Sequence, residues 1–300
     1  MTLMRKTRDL GAFDDAVMVF GGPYGNLQAT LALWKQAEEL GVPPDRIICT
    51  GDVAAYCAEP QEVVAAIRDW GVQVLMGNCE ESLAEDAADC GCGFAAGSQC
   101  AVLSEDWYSY CRQALSAESR AWMGTLPRRI QFRLGPWRAA VIHGGAERLN
   151  RFIFASTPLA TKQDEMAHCN ADLVIAGHCG IPFTQAINGV VWHNPGVIGM
   201  PANDGAPDVW WALLRVDRGG RLRIRHQRLS YDYRLAQERM RRSGLDNGYA
   251  SALASGLWPS MDVLPPAERA QQGAPLSFPA ELMYQARDAC DSADCTNQIV

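Results

Sequence analysis

Arg46-Ile47-Ile48-Cys49-Thr50-Gly51-Asp52 is a short apolar run that ends in an acid. It lies between turn residues, Val42-Pro43-Pro44-Asp45 before it and Gly51 near its end. The run is too short for a helix of its own, so it reads as a buried strand. A carboxylate at the tip of such a strand points to chemistry rather than packing. Three more runs end the same way: Val72 to Met76 before Gly77-Asn78, Ala139 to Ile142 before His143-Gly144, and Leu173 to Ala176 before Gly177-His178. Ligands of open α/β sheets bind outside the carboxyl ends of the strands. With the four runs laid in packed sheets, Asp52, Asn78, His143 and His178 are expected to converge. One carboxylate, one amide oxygen and two imidazoles make a metal-type donor set.

Upstream, Val17 to Phe20 is an apolar run followed by Gly21-Gly22-Pro23-Tyr24-Gly25-Asn26. Leu27, Leu31 and Trp34 then fall at helical spacing, which predicts one buried face, and Gly41 is placed to end that helix. Pro60 opens a second helix with Val63, Ile67 and Trp70 on one side. With the strand from Val72 to Met76 this is a βαβαβ unit containing parallel strands. The glycine loop has neither G-x-G-x-x-G nor a terminal Lys-Ser/Thr, so it does not match a nucleotide-binding turn. Glu80 to Ala88 is acidic and helix-prone, a Cys/Gly loop is expected up to Cys100, and helices are predicted from Ser104 to Leu115 and from Ser116 to Thr125.

The second half reads as mostly antiparallel. Gln131 to Leu134 and Trp137 to Ile142 form a predicted hairpin, and a helix is expected from Pro158 to His168. Asn188-Gly189 and Gly219-Gly220 mark two further hairpins. Arg221, Arg223 and Arg225 share one strand face, read as solvated. The fold class is therefore α/β: two packed mixed β-sheets flanked by helices. One domain is expected over residues 14–233, followed at 234–300 by a helical extension and a loosely ordered tail.

The chain has 300 residues, 48% of them hydrophobic, enough for a substantial core. Its formal charge of −7 argues against long nucleic acid or an anionic membrane as partner. No run approaches the ~20 apolar residues of a membrane span, and residues 1–15 have no signal-peptide hydrophobic region, so a cytoplasmic protein is expected. Eleven cysteines without a secretory signal are read as mostly free thiols. The Cys90-x-Cys92 pair with Cys100 does not have the paired spacing of a structural zinc module, and Cys290 and Cys295 give a weaker signal still.

Taken in order, Gly51-Asp52, Gly77-Asn78-Cys79-Glu80, His143-Gly144, Gly177-His178 and Asn194-Pro195-Gly196 resemble the motifs of the calcineurin-like metallophosphoesterases, above all the small bacterial branch of YfcE-like and diadenosine-tetraphosphatase-related proteins. The resemblance spans roughly Val17 to Tyr233. It implies an α/β/β/α sandwich with two divalent metals and a bridging hydroxide for attack on phosphorus. The first motif of that family is D-x-H-G-N, which stands here as Gly22-Pro23-Tyr24-Gly25-Asn26; the last is G-H-x-H, which stands here as Gly177-His178-Cys179-Gly180. In the family's scheme all three missing ligands serve the first metal. Asp52 would bridge, and Asn78, His143 and His178 would hold the second.

The resemblance with these departures implies one retained metal half-site, suited to Zn, Mn or Fe(II). Cys79 stands where the family carries a histidine near the leaving group. The expected catalytic set is Asp52, Asn78, Cys79, His143 and His178, with Gly22, Tyr24, Asn26, Glu80, Cys179, Gly180 and His193 as candidates to line the site. Two functions stay open. One is a metal-dependent hydrolase of small phosphomonoesters or phosphodiesters, nucleotide-like substrates included. The other is a catalytically impaired protein of the same fold that binds a metal or phosphate ligand for sensing or assembly. An oligomer is compatible with both.

Overall fold

The computed structural model describes residues 7–286, so Cys290, Cys295 and the end of the expected tail lie outside the described residues. The first half runs β1 (Thr7–Phe13), β2 (Val17–Phe20), α1 (Leu27–Glu39), β3 (Ile47–Cys49), α2 (Pro60–Trp70), β4 (Gln73–Val74), α3 (Asn78–Ala84), α4 (Gln99–Ala114) and α5 (Ala117–Met123). The second half runs β5 (Arg129–Leu134), β6 (Trp137–Ile142), α6 (Leu159–Cys169), β7 (Leu173–Ala176), β8 (Phe183–Ile187), β9 (Val190–Asn194), β10 (Val209–Val216), β11 (Leu222–Leu229), α7 (Tyr233–Arg242), α8 (Gly248–Ser255), α9 (Pro266–Arg269) and β12 (Leu282–Tyr284).

The strands make two six-stranded mixed sheets, ordered β1-β5-β6-β7-β9-β8 and β12-β11-β10-β2-β3-β4. The fold class expected from the sequence is the one observed. Successive side chains of a strand point to opposite faces, and β2 shows the result. Val17 and Val19 enter the core between the sheets with Ile48, Val141, Ile175 and Leu214. Met18 and Phe20 face the helical layer with Leu33, Ile67 and Trp107. On the outer side of the other sheet, Val174 and Trp192 pack with Met166 of α6 and with Leu264. Strands buried on both faces read as unbroken apolar runs, which is why β2, β3 and β7 stand out in the sequence.

Several local expectations change. The second half is mostly antiparallel, as expected, but β6, β7 and β9 are parallel neighbours within it. β1, unforeseen because it is charged and largely exposed, pairs in parallel with β5 through backbone bonds. On α1 the buried positions are Ala29, Thr30, Leu33 and Ala37, whereas Leu31 is 48% exposed. The strand expected from Val72 to Met76 shortens to Gln73–Val74, and α3 starts at Asn78, earlier than predicted. The extension is not purely helical, because β12 adds to β11 as an edge strand. Arg223 and Arg225 pair there with Glu281, and Arg221 and Arg223 with Asp217. Among the described residues no helix is long and apolar enough to cross a membrane.

Candidate metal centre

β3, β4, β6 and β7 end on the same edge of the two sheets, and the residues just beyond them meet there. Asp52, His143 and His178 offer ligand atoms that all lie within 4.8 Å of one another, and all three residues are buried. His143 Nε2 is 3.2 Å from Asp52 Oδ2, 3.0 Å from Asn78 Oδ1 and 3.1 Å from His178 Nδ1. Its other nitrogen, Nδ1, lies 2.6 Å from the Thr50 carbonyl, which can only accept, so Nδ1 carries the proton. Neutral His143 therefore turns a lone pair toward a carboxylate oxygen, an amide oxygen and a second imidazole. The Asp52 and Asn78 oxygens can only accept, so a proton on His143 Nε2 or a bound cation relieves their meeting with that lone pair, whereas His178 Nδ1 can donate or accept.

The charges follow from this crowding. Burial raises the Asp52 carboxyl, but the neighbouring His143 and His178 outweigh it and hold the group well below the usual carboxylate range. Burial lowers His143, yet the charge and hydrogen bond of Asp52 carry it above its ordinary value. For His178 burial wins, and its pKa falls.

The backbone is bent to reach this arrangement. Asp52 and His178 have φ of 59° and 62°, a left-handed conformation of the kind that concentrates at functional sites and costs about 1–3 kcal/mol per residue. Glu80 anchors the Asp52 turn. One of its oxygens accepts from the Asp52 and Gly77 amides at 2.7 and 2.8 Å, and the other from Val53 at 2.7 Å. Burial and the Asp52 charge push Glu80 up to about 7 against these amides. A Cβ at Gly77 would stand 2.3 Å from Asp52 Oδ1, so the two turns can close only with glycine at that position. The His178 turn is braced by Asn194, whose Nδ2 donates to the Gly177 carbonyl at 2.9 Å.

Asn78 is oriented from behind. Its Nδ2 donates to the Cys90 carbonyl at 2.9 Å and to Cys92 Sγ at 3.2 Å, which fixes Oδ1 toward His143. The Cys90-Gly91-Cys92 loop thus supports the centre, a role its sequence spacing did not suggest. Cys79 Sγ lies 3.6 Å from Asn78 Nδ2. The Cys92 hydrogen bond favours its thiolate, but burial and Asp52 hold the thiol well above its ordinary range. Thr50 and Phe152, whose ring packs on His178 at 4.1 Å, also escaped the sequence reading. The Thr50 contribution is a backbone carbonyl, and Phe152 sits in an irregular loop, so neither leaves a pattern.

The remaining candidates have other surroundings. Asn26 caps α1 through Ala29 and donates to the Gly199 carbonyl. Cys179 Sγ is 3.1 Å from Asn194 Nδ2. His193 is placed in a separate cluster, where it and His226 share the Thr184 hydroxyl at 2.9 and 2.8 Å. Around Gly22 the space is taken: a Cβ there would lie 2.4 Å from Cε1 and Cζ of the Tyr24 ring. A Cβ at Gly180 would lie 3.3 Å from the Trp258 ring. Tyr24 has φ of 54° and is buried.

The donor set fits a divalent ion: Asp52, Asn78, His143 and His178 supply N/O atoms, and the Thr50 carbonyl supplies the outer bond that orients a metal-ligating imidazole. Residues 25–219 match the calcineurin-like phosphoesterase superfamily domain. No match was found among curated proteins. Among solved structures, a metallophosphoesterase from Sphaerobacter thermophilus is similar with a TM-score of 0.62 and 18% identity, covering 82% of this chain and 100% of that one. A hypothetical protein from Pyrococcus horikoshii OT3 is similar with a TM-score of 0.68 and 19% identity, covering 80% of this chain and 98% of that one. At these identities the likeness is one of fold.

Proposed function

Because the chain belongs to the calcineurin-like phosphoesterase superfamily, we propose that it hydrolyses small phosphomonoesters or phosphodiesters with one divalent metal held by Asp52, Asn78, His143 and His178. The observation that carries this reading is the buried convergence of Asp52 Oδ2, Asn78 Oδ1 and His178 Nδ1 on His143 Nε2. A second ion has Asp52 alone to rely on. The positions of the other expected ligands are Gly22, Tyr24 and Gly180, with aromatic rings against both glycines.

A bound divalent ion supplies Lewis-acid polarisation of a phosphoryl oxygen and a more acidic water. The protein's part is to hold that chemistry in place. Glu80 locks the Asp52 turn, the Thr50 carbonyl keeps the His143 proton on Nδ1, and Cys90 and Cys92 keep the Asn78 oxygen turned inward. Phe152 packs its ring on His178 and holds that imidazole in place.

The specific observation favouring the second reading, a binding protein without turnover, is Cys79. A buried thiol held well above its ordinary pKa is a poor proton donor to a leaving group. One experiment separates the readings: elemental analysis of the metal-titrated protein, then assay on alkyl and aryl phosphomonoesters and phosphodiesters beside Asp52→Asn. One ion per chain with hydrolysis lost in the variant supports the enzyme. One ion with phosphate-dependent thermal stabilisation and no turnover supports the binding protein. Two firmly held ions would refute the half-site.

A further inference from the structure

A cavity of ≈ 60 Å³ opens beside the centre, with His178 in its wall. Tyr24, Tyr56, Phe94, Phe152, Tyr249 and Trp258 bring six aromatic rings to it, and its exposed surface is mostly apolar. Among the described residues lining it there is no lysine, arginine, aspartate or glutamate. Tyr249, Trp258 and Val263 lie beyond residue 219, where the family domain ends. Trp258 is fastened there by two bonds, its Nε1–H to the Pro201 carbonyl at 2.7 Å and its backbone N–H to Asn203 Oδ1 at 2.8 Å.

We infer that this chamber receives the alcohol side of the phosphoester, and that the group it takes is a short aliphatic chain. The inference rests on the phosphoesterase reading and specifies its substrate. Because His178 belongs to both the centre and the chamber wall, an ester whose phosphate sits at the centre directs its organic arm past that ring. A second phosphate would enter without a cationic partner, which makes di- and oligophosphates poor occupants. A sugar or glycerol arm would exchange hydrogen bonds to water for a mostly apolar wall whose side-chain hydroxyls are those of Tyr24, Tyr56, Tyr249 and Ser260. An aryl arm fails on size, since a cavity that holds benzene is about 150 Å³ and this one is ≈ 60 Å³.

The test is calorimetric titration of the full chain, loaded with Mn(II), with inorganic phosphate, propyl phosphate, glycerol 1-phosphate and phenyl phosphate. Each buried methylene is worth about fourfold in affinity, so propyl phosphate is expected to bind at least about fourfold tighter than inorganic phosphate, and tighter than glycerol 1-phosphate and phenyl phosphate. Trp258→Ala enlarges the chamber and is expected to invert the order of phenyl and propyl phosphate. Phe94→Ala, on a half-buried loop, gives the same inversion and carries the test if the first variant does not fold. Three esters binding alike in all proteins, with inorganic phosphate also bound, would overturn this inference and leave the phosphoesterase reading intact. Absence of binding by every ester and by phosphate would overturn both.

Discussion

The contact between Gly22 and Tyr24 can be measured by adding one methyl group. In Gly22→Ala the new Cβ stands 2.4 Å from Cε1 and Cζ and 2.8 Å from Cδ1 of the Tyr24 ring, where carbon atoms ordinarily rest at about 3.5–4.0 Å. The ring must move by about 1 Å to restore that spacing. It has little room to do so, being buried and set edge-on to Tyr56 at 4.7 Å. Overpacking of this kind costs about 1–3 kcal/mol. Tyr24→Ala alone costs about 3–5 kcal/mol as a large-to-small change, but it removes the obstacle. The double variant should therefore be no less stable than Tyr24→Ala, a coupling of about 1–3 kcal/mol read from urea unfolding of all four proteins. A Gly22→Ala cost below about 0.5 kcal/mol, additive with Tyr24→Ala, would refute the argument that the ring fills this space. The same logic predicts that Gly22→Asp with Tyr24→His and Gly180→His raises the metal count toward two, whereas Gly22→Asp alone only destabilises.

Glu80→Gln places an amide nitrogen against at least one of three backbone N–H donors. It is expected to cost about 2 kcal/mol or more, seen as a lower unfolding midpoint together with weaker metal binding. Cys92→Ala removes an acceptor from Asn78 Nδ2 and should weaken metal affinity about tenfold, with Cys92→Ser recovering part of the loss in a competition titration. The pH dependence has a sign that can be worked out. Burial lowers His226 to about 3 and His193 well below its ordinary value, so below pH ~6.5 the unfolded chain binds protons that the folded one refuses. Stability is therefore fully present above pH ~6.5 and falls as pH drops toward 3. His226→Gln should flatten that slope in thermal melts of the metal-loaded protein, and an unchanged slope would count against the buried imidazole as its cause.

The sheet edge that gathers Asp52, Asn78, His143 and His178 was legible because each follows a strand whose apolar run is unmistakable. What local pattern could not reach was pairing between distant segments. β1 is charged and joins β5 through its backbone and a single Phe13–Phe132 ring contact, and β12 reads as tail until it meets β11. Cys90 and Cys92 were noticed for their spacing, yet their role comes from a loop folding back over the start of α3 to hold Asn78. The helical period at Leu27, Leu31 and Trp34 was genuine but lay beside the buried stripe: Leu27 and Trp34 are half-buried against the core and Leu31 is exposed, while Leu33 and Ala37 are buried in it. Trp258 shows the same limit, because nothing in its neighbourhood reveals that it lies against Gly180.

β12 has a consequence for how such a protein can diversify. Its pairing with β11 fastens the far end of a segment whose near end is already fixed by α7 packing on α8. The chain between them carries the chamber wall but no acceptor of the centre, and between the points where Trp258 bonds Pro201 and Asn203 and Glu268 bonds Ser156 it runs as short loops, each closed at both ends. Doubling the length of such a loop costs only about 0.6 kcal/mol. Insertions and deletions there can reshape the space around a ligand's organic arm while the centre is inherited unchanged, which makes this stretch the place where new selectivity could arise at least cost to the fold.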